Sequence, residues 1–182
     1  MSVKRDYETF SPERLQSAAA TLFYTQGYSV GLNDILEKAG IYKATFYKYY
    51  DSKDALAADY IDRKRDELVT MLGQLMAKRP KPADFFDSWV KLLAKSSRSP
   101  DFYGCPFSNL FAQTLRESPA LVSQLKRAVT EIVQYLARYL GSERLAWKVF
   151  TLYEGAMTMY NLTGEKAAFS RLAEDLKESL GH

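Results

Sequence analysis

Two residues decide first what chemistry the chain is equipped for. Cys105 is its only cysteine, and His182, the last residue, is its only histidine. A Ser-His-Asp triad or a Cys-His pair needs an imidazole held against the nucleophile by a fixed neighbour, which a chain-terminal residue does not offer. One thiol and one imidazole also fall short of the four ligands of a structural zinc site. No disulfide can form within the chain, and a single unpaired cysteine fits a reducing compartment. No spacing of carboxylates proposes a metal site, so neither an enzyme nor a cofactor is expected. What remains is a run of hydroxyl, ammonium and aromatic groups, Tyr42-Lys43-Ala44-Thr45-Phe46-Tyr47-Lys48-Tyr49-Tyr50, with Lys53 just beyond it. On a helix, Phe46 and Tyr50 fall one turn apart and hold the segment to a core, which Tyr49 is expected to join. Tyr42, Lys43, Thr45, Tyr47 and Lys48 are then left on the other faces, with groups of the kind that touch phosphates and base edges. Lys53, near a helix start, adds a phosphate contact beside free backbone N–H groups. Taken singly, the lysines read equally well as a solvated face, because Asp51, Asp54, Asp59 and Asp62 follow closely and no basic block stands out.

The elements that must position these groups are all helical. Of 182 residues, 47% are hydrophobic and the net charge is only +3, which suits a chain with a sizeable core and no bulk polybasic character. The amino terminus, Met1 to Asp6, is charged where a signal peptide would be apolar. No apolar run approaches the ~20 residues that cross a bilayer, so a soluble, cytoplasmic protein without a membrane partner is expected. Ser11-Pro12-Glu13 reads as a capped helix start, followed by Leu15, Ala18, Ala19, Leu22 and Phe23 on one face and closed by Gly27. A shorter helix carries Leu32, Ile35, Leu36 and Ala39 and stops at Gly40, and a third runs from Lys43 to about Tyr49. Ser52 caps a long helix that ends at Lys78-Arg79-Pro80-Lys81-Pro82. Behind it come a helix with Phe85, Phe86, Trp89, Leu92 and Leu93, a short one from about Pro106 to Leu115, and one opened by the cap Ser118-Pro119. The last two hold Leu145 to Tyr160 and Phe169 to Leu180. The fold class is therefore all-α, with about nine helices: a three-helix front containing a helix-turn-helix and a bundle behind.

Leu32 to Ile41 has the makings of the first helix and turn of that motif: a small residue where two helices approach, a glycine in the turn, and an apolar residue plugging the corner. The match becomes specific over Phe23 to Leu56, which resembles the DNA-binding domain of tetracycline-repressor-type (TetR family) regulators. It is carried by Phe23, Gly27-Tyr28, Ile35, Ala39-Gly40-Ile41, Ala44-Thr45-Phe46-Tyr47, Tyr49-Tyr50, Ser52-Lys53-Asp54 and Leu56, in fixed register. Three positions depart from the family pattern: Val30-Gly31 where a capping hydroxyl is usual, Tyr42 where a serine is usual, and Ala44 for a glycine. The resemblance implies a DNA-binding front domain over 1–54 and a helical ligand-binding and dimerisation domain over 55–182. It implies sequence-specific contact with double-stranded DNA, a palindromic operator, through Asn33, Tyr42, Lys43, Ala44, Thr45, Tyr47, Lys48 and Lys53. A homodimeric regulator, a repressor, is expected, switched by an unidentified small-molecule effector. The alternative is a helical small-molecule-binding protein that has lost its operator.

Behind the front domain, Phe85, Phe86, Trp89, Phe102, Tyr103, Phe107, Phe111, Tyr153 and Met157 are either plain core or the lining of a ligand cavity. The resemblance also implies that the last two helices pair with a second subunit, with Phe150, Gly155, Ala156, Leu172 and Leu176 as the expected residues. Cys105, in Gly104-Cys105-Pro106-Phe107, resembles a Gly-Cys stretch of some family members that respond to electrophiles or oxidants. Placed before a helix start, its thiol is expected to ionise more readily, with Arg98 and Arg116 as possible helpers. The reading favoured for Cys105 is nevertheless a buried, inert thiol, since most unpaired cysteines simply pack.

Overall fold

The computed structural model describes residues 11–181 except Arg116; the charged amino terminus, Arg116 and His182 lie outside the described residues. Those described form helices and no strand: α1 (Pro12–Thr25), α2 (Leu32–Ala39), α3 (Lys43–Phe46), α4 (Lys53–Lys78), α5 (Pro82–Ser96), α6 (Pro106–Thr114), α7 (Pro119–Leu140), α8 (Glu143–Thr163) and α9 (Ala167–Glu178).

The helix starts show which serines act as caps. Ser52, Ser118 and Ser142 each accept a hydrogen bond from the backbone N–H three residues on, at 3.0, 3.3 and 3.2 Å. Ser11 does not cap α1; Pro12 opens that helix, and the Ser11 hydroxyl instead helps hold the Glu13 carboxyl below its ordinary range. At α2, where Gly31 has no side chain to cap with, the Asp34 carboxylate reaches back to the Gly31 N–H at 3.1 Å. Gly40 ends α2 at φ 68°, a left-handed conformation that side chains disfavour.

The third helix is shorter than its spacing suggests. It stops at Phe46, because Lys48 N–H and Tyr49 N–H bond back only three residues, to Thr45 and Phe46. That tighter winding rotates Tyr49 outward, so it stands 48% exposed rather than joining the core, while Tyr50 stacks at 6.0 Å on the fully buried Phe46.

A front unit of α1 to α3 wraps Leu15, Ala19, Phe23, Ile35, Phe46 and Leu56 into one core, with Ile41 plugging the turn. The first turns of α4 belong to the same core: Tyr60 packs on Phe23 with ring centroids 5.5 Å apart. The rest of α4 runs rearward against α7, which in turn packs on α8; α8 pairs with α9, and α9 with α5. Arg65 fastens α4 to α7 through Glu131 at 2.9 Å, and Lys177 fastens α9 to α5 through Asp87 at 3.0 Å. Leu92, expected inside α5, is instead one of its more exposed apolar residues. Among the described residues no helix is long and apolar enough to cross a membrane.

Candidate nucleic-acid interface and rear cleft

The segment after the α2 turn is anchored from beneath and open above. Phe46 has no exposed surface, and its neighbours Tyr42, Lys43, Ala44, Tyr47 and Lys48 all stand exposed. Thr45, half-buried, closes the turn by donating its N–H to the Tyr42 carbonyl at 2.9 Å. Asn33 is exposed on the outer face of α2. The eighth residue expected at this surface, Lys53, is half-buried. Its ammonium donates to the carbonyls of Tyr28 at 2.9 Å and Val30 at 3.3 Å and lies 3.9 Å from the centre of the Tyr28 ring. Lys53 thus ties the loop before α2 to the start of α4, with one of its three N–H donors beyond these two bonds.

The carboxylates that appear in sequence to offset these lysines are mostly engaged elsewhere. Asp54 accepts from the hydroxyls of Tyr28 and Ser118, the latter at 2.6 Å. Asp59 takes Tyr50 OH at 2.9 Å and Arg63 at 3.0 Å. Asp62 takes Arg65 and Gln124, at 2.8 and 2.6 Å. Only Asp51 of the four is exposed beside the lysines. Burial and the Asp54 carboxylate together push the Tyr28 phenol far above its ordinary value of 10.0, so it remains a donor.

Front and rear are locked at three places that sequence reasoning did not anticipate. Tyr24 on α1 donates to the Gly104 carbonyl at 3.0 Å and accepts from Tyr103 N–H at 3.1 Å. Ser29 N–H donates to Gln113 of α6 at 3.0 Å. Gln113 lies so close over Gly27, itself left-handed at φ 77°, that any side chain there would collide with it. The third lock is Asp54 with Ser118, the cap of α7. Serine before proline signals a cap in sequence; that its hydroxyl also meets a carboxylate from the front is a tertiary fact with no local signal.

The aromatic residues expected around a ligand separate into groups. Phe85, Phe86, Trp89, Tyr153 and Met157 are buried packing: Phe85 stacks on Trp89 at 5.8 Å and Trp89 on Tyr153 at 5.3 Å. Phe102 and Tyr103 border a polar cleft of about 630 Å³ beside the end of α1. Phe107 and Phe111 line a second, more apolar cleft of about 480 Å³ between α6, α7 and α8. Leu125 and Val129 from α7 and Phe150 and Trp147 from α8 complete its walls, with Ser108, Lys126, Thr130 and Glu154 as its polar groups. Trp147 and Glu154 were not singled out in sequence; neither type announces a cavity.

Cys105 is 3% exposed, and its environment reverses the effect expected of a helix start. Burial first, and then the nearby Glu154 carboxylate, push the thiol well above its ordinary value of 9.0, against smaller opposing contributions from the backbone at Phe107 and Ser108. Arg98 is exposed and contributes nothing to this shift. Of the five residues expected to pair subunits, four face the chain's own core. Phe150, Ala156, Leu172 and Leu176 are buried in the chain's own core, because α8 and α9 use those sides against α7 and α5. Gly155 lies on the open side of α8, where nothing comes within 4 Å of the position of a side chain. That side also carries Trp147, Met159 and Leu162, which are 43, 50 and 75% exposed.

Comparison with known proteins agrees with this arrangement. Residues 15–60 match the family described as bacterial regulatory proteins, tetR family. The chain is 29% identical over 124 residues to the HTH-type transcriptional regulator LmrA of Bacillus subtilis, an alignment spanning 66% of each protein. Its fold superposes on a TetR-family transcriptional regulator from Streptomyces coelicolor with a TM-score of 0.82 at 20% identity, covering 92% of this chain and 93% of that one. The reduced form of NemR from E. coli gives the same TM-score at 18% identity, covering 91 and 95%. The front unit thus matches the tetR family of bacterial regulatory proteins in sequence, and over nine-tenths of its length the chain shares the fold of TetR-family transcriptional regulators.

Proposed function

We propose that the protein is a homodimeric repressor whose grip on a palindromic operator is released by a small molecule bound in the α6–α7–α8 cleft. The observation that carries the DNA half of this reading is the inversion at the third helix: Phe46 is wholly buried, and the groups around it are offered outward. Tyr42, Lys43, Ala44, Thr45, Tyr47 and Lys48 enter the major groove, Asn33 stands over the flanking backbone, and Lys53 gives its remaining N–H to a phosphate. The front domain is taken as 1–54 and the effector and dimer domain as 55–182, with α4 continuous across the boundary. The open side of α8, bearing Gly155, Met159 and Leu162, pairs with a second copy, so that two recognition segments face successive turns of DNA about 34–36 Å apart.

Switching follows from shared elements. The cleft is walled by Phe107 and Phe111 of α6 and Leu125 and Val129 of α7. The same two helices hold the front unit through Gln113 and Ser118. A guest that spreads α6 from α7 strains both locks and changes the angle of the front unit. For release, that guest must bind the splayed state more tightly than the operator-bound state.

Selection of bound duplexes from a random library at moderate salt tests the reading. An enriched palindrome with half-sites one helical turn apart is the expected outcome. Binding of equal strength to all sequences overturns it, and no binding at all favours a small-molecule-binding protein without an operator.

A further inference from the structure

We propose that the cleft between α6, α7 and α8 takes a cation bearing aromatic rings, with Glu154 as its counter-ion. The proposal rests on the reading of this cleft as the effector site and names the chemistry of its guest. Phe107, Phe111, Trp147 and Phe150 bring four rings to one opening of about 480 Å³. The faces of such rings carry negative partial charge and attract cations as well as apolar surface. Glu154 lies on α8 one turn beyond Phe150, half-buried, and lines the same space.

The charge of Glu154 is what is unusual. It accepts the Ser108 hydroxyl at 2.5 Å and lies against the buried thiol of Cys105, both neutral donors. Asp59, Asp62, Glu131 and Asp87, half-buried like it, are each paired with an arginine or lysine within 3.0 Å; Asp54, which like Glu154 takes neutral donors, the hydroxyls of Tyr28 and Ser118, does not line this cleft. Among the described residues no such partner is found for Glu154. A carboxylate partly removed from water without a counter-ion carries an unrecovered desolvation cost, and a cation arriving beside it recovers part of that cost. Lys126, exposed on α7, is the one cationic side chain at the cleft among the described residues and makes no ion pair with Glu154. An anionic guest would have Lys126 for it and Glu154 and four ring faces against it. A neutral guest would gain the apolar walls alone.

Three probes of similar shape separate these cases: tetraphenylphosphonium, tetraphenylborate and the neutral triphenylphosphine oxide. Titration is followed by tryptophan emission, in which half-exposed Trp147 responds at the cleft while Trp89 is buried elsewhere. The phosphonium is expected to bind about tenfold or more tighter than either of the others, from the carboxylate and the ring faces together. Glu154→Gln keeps an acceptor for Ser108 and is expected to weaken the phosphonium by about tenfold while leaving the phosphine oxide unchanged. Lys126→Gln is expected to tighten the phosphonium. Equal affinity for all three probes, preference for the borate, or phosphonium binding indifferent to Glu154→Gln overturns the proposal. Release of the selected operator duplex is measured in parallel. Charge-dependent phosphonium binding that leaves the duplex bound supports the guest chemistry while removing the effector role.

Discussion

Replacing Ser118 by alanine isolates one of the locks between the DNA-binding front and the rear bundle. The side chain does two things: it caps α7 by accepting from Leu121 N–H at 3.3 Å, and it donates to Asp54 at 2.6 Å. Loss of a serine cap costs about 1 kcal/mol. A hydrogen bond to a charged group is worth about 1.5–3 kcal/mol, and the half-exposed position of Asp54 argues for the lower end. The sum is about 2.5 kcal/mol, a fall in Tm of about 5–10 °C for a chain of this size. Ser142 supplies the control, since it caps α8 in the same way, at 3.2 Å, with no carboxylate across from it. Ser142→Ala should therefore lose only the cap, about 1 kcal/mol. Urea denaturation followed by circular dichroism at 222 nm measures both. A double-mutant cycle of Ser118→Ala with Asp54→Ala should return a coupling of about 1–2 kcal/mol. Equal losses at Ser118 and Ser142, or additivity in the cycle, would refute the claim that Ser118 joins front to rear.

Three further outcomes are expected. Leu162→Glu, at a position 75% exposed on the open side of α8, should leave the fold's melting unchanged at the level of the protomer and yield a monomer in sedimentation, with operator affinity lost; a dimer of undiminished affinity would place the interface elsewhere. Lys53→Ala should destabilise the front unit by about 1 kcal/mol through its two carbonyl bonds and flatten the salt dependence of DNA binding by about one unit. A stability loss with an unchanged salt slope would confine Lys53 to the loop it ties down. Cys105, held protonated by burial and Glu154, should resist iodoacetamide at pH 8 except through unfolding. Because the thiol ionises first in the unfolded chain, near 9.0, and only at higher pH in the folded one, folding stability should fall as pH rises above about 9. Cys105→Ala should flatten that decline between about 9 and 10, below the range where buried Tyr28, Tyr60 and Tyr153 add the same effect. Rapid alkylation of folded protein, or no flattening, contradicts the burial argument.

How far the sequence was legible depended on whether the deciding contact was local. The apolar period of α1 and α2, the left-handed stop at Gly40 and the caps at Ser52 and Ser118 all involve partners within four residues, and each lies where the pattern puts it. The register of Phe23, Gly27, Ala39, Gly40, Ile41 and Phe46 added long-range information, because that combination requires the corner of a helix-turn-helix and not only its helices. Where a choice of faces was needed, local pattern failed. Phe150, Leu172 and Leu176 have the apolar spacing of an interface, but the same spacing serves a core, and α5 and α7 reach them first. The surface left over on α8 is recognisable only afterwards, as the large exposed side chains that line neither cleft: Met159 and Leu162. Of the two readings of Cys105, the buried thiol rather than the readily ionised one matches its place, for a related reason. A helix start favours the thiolate by a field that acts along the axis, whereas desolvation acts from every side. Once the rear helices enclose the thiol and bring Glu154 beside it, the second effect exceeds the first. Glu154 itself carried no local signal, since an acid in the middle of a helix is ordinary until the rings of α6 and of its own helix close around it.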